Sequence, residues 1–137
     1  MFYLNLILIL AISWFLGQDR EKAGKAIGFR SLCIVMLGAY CFTYSAYMPS
    51  GEIDYHVIAQ IVSGISFVGA GLIFKDKNVH NLTTAILVWA SASIAVLLGL
   101  NKILEAVTIT IIIRLVLLYK KKEKCWKSDF IMAESIS

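Results

Sequence analysis

Charge is what this sequence has least of. Of its 137 residues, 16% are Asp, Glu, Lys or Arg, against about 25% in an average soluble domain. None falls in residues 1–18, 31–51, 55–74 or 78–101. Each of these gaps meets the roughly 17–25 residues that a helix needs to cross a bilayer. A soluble globule, a disordered chain and a nucleic-acid binder are disfavoured on this ground alone. Cysteine is also scarce. Cys33, Cys41 and Cys125 form neither an even framework nor a C-x-x-C pair, so no disulfide scaffold and no thiolate metal site are expected. Walker A, H-E-x-x-H, G-x-S-x-G and G-x-G-x-x-G patterns are all missing. No enzyme, cofactor or metal centre is expected.

What is present is an apolar chain, 59% hydrophobic, carrying its charge in short blocks. The reading is an all-α membrane protein, a bundle of about five transmembrane helices over 1–119. The spans fall at about 1–17, 31–48, 57–74, 82–100 and 103–119, and a short basic tail occupies 120–137. Residues 1–17 lack the basic leader and the small-residue cleavage site of a signal peptide, so a retained first helix is expected. The fifth span holds Glu105 near one end and Arg114 near the other, where a long side chain can reach the interface.

Basic residues orient the spans. Arg20, Lys22, Lys25 and Arg30 follow the first span, Lys75 and Lys77 the third, and Lys120, Lys121, Lys122, Lys124 and Lys127 the fifth. The alternate side holds only Lys102. The positive-inside rule then places the N-terminus outside and the C-terminus in the cytoplasm. Tail lysines in that position face anionic headgroups. Tyr40, Tyr44 and Tyr47 recur on one face near the outer end of the second span, as an interfacial belt would.

Polar and small residues inside the spans mark contact surfaces. In the third span Ala59, Ser63, Ser66 and Ala70 share one helical face, and Gln60, Gly64, Phe67 and Gly71 the next. Small residues let backbones approach, while Gln or Ser bonds across the contact. Gln60 and Ser63 are accordingly candidate functional residues, with Gly64, Gly69 and Gly71 as packing positions. In the fourth span Asn81 is a candidate N-cap, and Thr83 and Thr84 can bond to backbone or neighbours. Ser91, Ala95 and Gly99 form a small-xxx-small row, and Trp89 is expected to turn its N–H inward. Between the first two spans, Asp19, Arg20, Glu21 and Arg30 are the charged candidates. The expected arrangement pairs Asp19 or Glu21 with Arg20 or Arg30.

Three of these stretches resemble the MgtC/SapB family of bacterial membrane proteins, over residues 5–118. They are Gly17-x-Asp19-Arg20-Glu21 with Gly24-Lys25-x-x-Gly28-Phe29-Arg30-Ser31, then Gln60-Ile-Val-Ser63-Gly64-Ile-x-Phe67-x-Gly69-Ala70-Gly71, and Leu82-Thr83-Thr84-Ala85 with Trp89. Asp19 stands where the family usually has Glu, Ala26 where Pro is common, and His80-Asn81 where Arg-Gly is typical. The chain resembles a short form, without the soluble C-terminal domain of longer members. The resemblance implies a multi-pass protein of the bacterial inner membrane linked to growth at low magnesium. It implies regulation through a second copy or other membrane proteins, including the membrane sector of the ATP synthase. The alternative is a small oligomeric ion or solute channel with a polar path along the third helix. Magnesium prefers hard oxygen ligands, and Glu105 is the one carboxylate inside the spans, which favours regulation.

Overall fold

The computed structural model describes the backbone of residues 1–22, 24, 27–74 and 82–134, and the side chains among them except at 72–74 and 120–134. Lys25, Lys75, Lys77, His80, Asn81 and the tail lysines therefore lie outside the described side chains. Five helices are present among the described residues: α1 (Phe2–Lys22), α2 (Phe29–Ser45), α3 (Tyr55–Phe74), α4 (Leu82–Gly99) and α5 (Ile103–Glu134). The only non-helical pairing there is an isolated bridge between Tyr47 and Ile53. α1 and α4 are long and apolar enough to cross a membrane, whereas α2 and the Tyr55–Gly71 stretch of α3 are shorter apolar helices.

Turn chemistry explains where the helices stop. After α1, Gly24 takes φ +62° and its N–H closes on the Glu21 carbonyl at 3.1 Å. α2 ends at Ser45, short of residue 48, because the chain enters a small hairpin. Met48 and Gly51 close a turn with Pro49 at its second position and Gly51 at φ +84°, and Met48 N–H bonds to Glu52 at 2.8 Å. α4 ends in a left-handed cap. Asn101, at φ 59°, donates to Leu98 (3.1 Å), and Lys102 donates to Leu97 (2.9 Å). This is the Schellman pattern, with Asn in the place usually taken by Gly. At the far end α5 continues to Glu134, so the backbone of 120–134 prolongs the fifth helix rather than forming a separate irregular tail.

Contacts between the helices give their relative directions. Gly17 of α1 meets Phe29 of α2, while Phe2 packs on Tyr44 at 5.1 Å, so these two helices are antiparallel. α1 touches α4 through Asn5 with Leu98 at one end and Arg20 with Thr84 at the other, again antiparallel. α4 packs against all four other helices. The core is the stripe Asn5, Ile9, Ile12, Ser13 and Leu16 of α1, at helical spacing, facing Leu32, Met36 and Tyr40 of α2 and Val88, Ile94 and Leu98 of α4. The opposite faces carry Ile7, Trp14, Ile34, Phe67, Leu104 and Val116 outward. Apolar surface on this scale, contributed by every helix, belongs in lipid.

Trp89 and Tyr40 differ from the sequence reading. Trp89 is 49% exposed, because Leu82, Ile86, Trp89 and Ser93 form the outward stripe of α4. The three tyrosines do not share one environment. Tyr40 is buried against Phe2, Tyr44 stacks between them and solvent, and the Tyr47 hydroxyl donates to the Gly99 carbonyl at 3.3 Å. The Ser91, Ala95 and Gly99 row is a helix-packing seam inside the chain: all three are buried, and a Cβ at Gly99 would lie 2.6 Å from Thr43 Cβ.

Two glycines hold helices at contact distance. A Cβ at Gly17 would sit 2.5 Å from the Phe29 Cα, so backbone would have to move. Gly17→Ala and Gly99→Ala should each destabilise the bundle by about 1–3 kcal/mol. Gly38→Ala, with nothing within 4 Å of the added atom, should instead gain up to about 1 kcal/mol of helix propensity. Thermal unfolding in detergent, followed by circular dichroism, separates the two classes.

Candidate functional site

Polar side chains gather where α1 ends and α4 begins. α1 runs past its apolar stretch through Asp19-Arg20-Glu21-Lys22, and successive residues there point about 100° apart. Asp19 is thereby aimed at α5, where its carboxylate accepts from Arg114 at 2.7 Å, the side chains being 35% and 14% exposed respectively. The Arg114 guanidinium also lies over the Phe15 ring, 4.8 Å from its centroid, a geometry that favours a cation on the ring face. Arg114 therefore reaches the end of the bundle as a long side chain should, but it ends on a carboxylate.

Arg20, one residue on, turns toward α4. Its Nη2 donates to the Thr84 hydroxyl at 2.7 Å, and Thr84 is buried in the first turn of α4. Arg20 Nε is enclosed and has no hydrogen-bond partner. Glu21 is exposed, and its stem lies under Gly28, where a Cβ would come within 3.2 Å of it. Arg30 is exposed and Thr83 half-buried. The expected local pairing of Asp19 or Glu21 with Arg20 or Arg30 is thus replaced by one ion pair across helices, among the described residues. The reason is direction: neighbours in sequence diverge around α1, whereas α4 and α5 approach it from different sides.

The third-helix residues are elsewhere. Gln60, Ser63, Gly64, Ser66, Phe67 and Gly71 are all exposed on the outer surface of α3, and Phe67 is 83% exposed. Ser66 bonds back to the Val62 carbonyl at 2.7 Å. Gln60 and Ser63 form no such bond among the described residues. Gly69 alone of the three glycines is buried, facing the Ala85 carbonyl of α4. Beside this face, α2 and α3 diverge around a cavity of about 390 Å³, lined by Ile34, Gly38 and Phe42 on one side and Gln60, Gly64 and Val68 on the other. Neither Gly38 nor Gly64 has a neighbour within 4 Å of a built Cβ. Thus the structure brings Asp19, Arg20 and Thr84 together, and leaves Gln60 and Ser63 on a separate, uncovered surface.

Sequence reasoning missed Asn5. It is 1% exposed, and its amide donates to the Leu98 carbonyl at 3.0 Å across the α1–α4 contact. The available signal was a lone amide at helical spacing from Ile9, Ile12 and Leu16. Among the described residues no three His, Cys, Asp or Glu side chains converge on a common point.

The Asp19–Arg114 pair can be tested directly. Its exposure lies between that of surface pairs, worth about 0–1 kcal/mol, and buried ones, whose disruption costs about 3–5 kcal/mol. Asp19→Asn should therefore cost about 1–3 kcal/mol, and Arg114→Gln a similar amount. The double variant should lose less than the sum, as read by denaturation in micelles. Strict additivity would show that the two groups do not interact.

Comparisons with known proteins bear on this arrangement. The sequence profile of the MgtC family matches residues 6–125. Protein MgtC of Salmonella typhimurium is 38% identical over 113 residues, which cover 82% of this chain and 49% of that protein. Protein MgtC of Brucella abortus is 40% identical over 100 residues, covering 72% and 42% respectively. The chain thus spans about half the length of the curated relatives it matches. No solved structure matches it. Since the matched stretch runs from the first turns of α1 into α5 and includes both polar surfaces, the chain belongs to the MgtC family.

Proposed function

We propose that this protein is a non-enzymatic regulator in the bacterial inner membrane, acting through contacts that the outer face of α3 makes with other membrane proteins. The observation that carries this reading is the exposure of Gln60, Ser63, Gly64, Phe67 and Gly71, a motif of amide, hydroxyl and glycines on an otherwise apolar helix. An exposed amide in hydrocarbon is costly without a partner, and glycines at this spacing admit a second backbone. A face covered only by acyl chains has no use for either.

In this reading the chain crosses the membrane five times, N-terminus outside and C-terminus in the cytoplasm. The charge asymmetry supports it. So does the helix alternation, which gathers Arg20, Arg30 and Arg114 at one end and leaves Glu52, Asp54 and Glu105 toward the other. The family relation supports a role in growth at low magnesium. Candidate partners are a second copy of this chain and the membrane sector of the ATP synthase. The channel alternative is less favoured: Gln60 and Ser63 are exposed, Gln60 beside the cavity between α2 and α3, so a polar path along α3 would run on the outside of the bundle or between copies.

A photo-crosslinker at Phe67 in native membranes should capture a defined protein, identified by mass spectrometry. The same group at Ile94, which is fully buried, should capture none. Gly64→Leu should abolish capture without lowering the unfolding midpoint, because a Cβ at that position meets nothing within 4 Å. Adducts with lipid alone would sink the contact reading. Magnesium uptake by proteoliposomes, lost in Gln60→Ala, would replace it with transport.

A further inference from the structure

α2 and α3 stand side by side without closing on each other. The hairpin between them is tight, with the Asp54 N–H on the Ala46 carbonyl at 2.9 Å. Phe42 and Val57 therefore lie at the hairpin end of the pair, and Ile34 and Val68 at the other. Between them runs the cavity of about 390 Å³. Each wall has a glycine, and among the described residues a Cβ at Gly38 or Gly64 would meet nothing within 4 Å. Gln60 is the one polar side chain among the lining residues. An apolar space of this kind does not hold water, and left empty it forfeits the dispersion contacts of both walls.

The dimensions select an occupant. At about 1.5 Å per residue, the lining segments 34–42 and 57–68 measure about 12 and 16 Å. The hydrocarbon of one leaflet is about 15 Å deep. A helix of that length, about 10–12 Å across with its side chains, would need roughly 1,000 Å³ or more. A methylene takes roughly 30 Å³, about the share of a water molecule in the liquid, so 390 Å³ accommodates about a dozen of them, or one acyl chain. The polar end is matched as well. Gln60 lies about 7–8 Å along α3 from the exposed Tyr55 that opens it. The polar layer of a bilayer is about 5–8 Å thick on each side, so an interfacial Tyr55 puts the Gln60 amide at the depth of the glycerol esters. An ester carbonyl only accepts hydrogen bonds, and the amide nitrogen donates them.

On the reading that α2 and α3 stand in the bilayer, we propose that the groove between them binds one acyl chain of a phospholipid, with the Gln60 amide donating to its ester carbonyl. Ser63, Phe67 and Gly71, exposed but outside the groove, stay open to the protein contact of α3.

The test uses the full chain in uncharged detergent, titrated with phosphatidylglycerol and read by native mass spectrometry. The wild type should retain one lipid per chain once detergent is stripped. Diether phosphatidylglycerol, with the same chains but no ester carbonyls, should bind about fivefold more weakly. Gln60→Ala should bind the two lipids equally. Gly38→Leu fills the groove from α2 and should cut retention about tenfold. It should leave crosslinking at Phe67 as in the wild type, so failure of the lipid site and failure of the α3 contact are read separately. Ile7→Ala, on an exposed face of α1, should leave retention unchanged. The ester–ether comparison in the wild type requires no variant to fold. The proposal is overturned by no retained lipid, by equal binding of the two lipids to the wild type, or by a loss in Ile7→Ala equal to that in Gly38→Leu. Retention that survives in Gly38→Leu overturns it too, as does a photo-crosslinker at Gly38 that captures polypeptide rather than lipid in native membranes.

Discussion

A polar group inside an apolar bundle has no water to return to, so it must find a partner in its own helix or on another. Three polar side chains of α1 reach across to other helices, and together they set how the helices stand. The Asn5 amide joins α1 to the end of α4, Arg20 joins α1 to the beginning of α4, and Asp19 joins α1 to α5. Apolar contacts between helices in lipid carry little directional information, since acyl chains pack against leucine as well as leucine does. Hydrogen bonds and ion pairs carry a great deal. With both ends of the α1–α4 contact pinned, the register of the buried stripe between them has no freedom to slip.

Close backbone contact supplies the second constraint. α4 can sit among four neighbours because its inward face is made of small residues, Ser91, Ala95 and Gly99 among them. Ser91 satisfies its own hydroxyl on the Val88 carbonyl at 2.8 Å, which lets a polar residue pack as though it were apolar. Thr43 and Thr110 do the same one turn back, at 2.8 and 2.7 Å. α3 is the contrast. It touches α4 through Gly69 but turns its remaining glycines and polar residues outward. The same residue types therefore do opposite things on adjacent helices. One set closes the fold, and the other is free for whatever lies beside the chain.

The exposed α3 face gives the proposed function its physical content. A regulator that reads another membrane protein needs an uncovered surface with polar groups and room for a second backbone, and α3 has both.

Much of this was open to inspection in the sequence. Charge-free stretches located four of the helices, since an uncharged run of about twenty residues has few other uses. The spacing of Gln60, Ser63 and Gly64 marked one side of α3, which the structure leaves exposed, and the residues of three motifs pointed to the family. Helix-period reasoning cannot say which way a face points, because apolar residues surround these helices on every side and lipid does not select a stripe. Hence Trp89 turned outward and Tyr40 inward. Asp19 was recognisable as a residue needing a cation, but its partner is 95 positions away on α5. Local sequence sets what each polar group requires. Only the packing of distant helices decides which group meets that requirement.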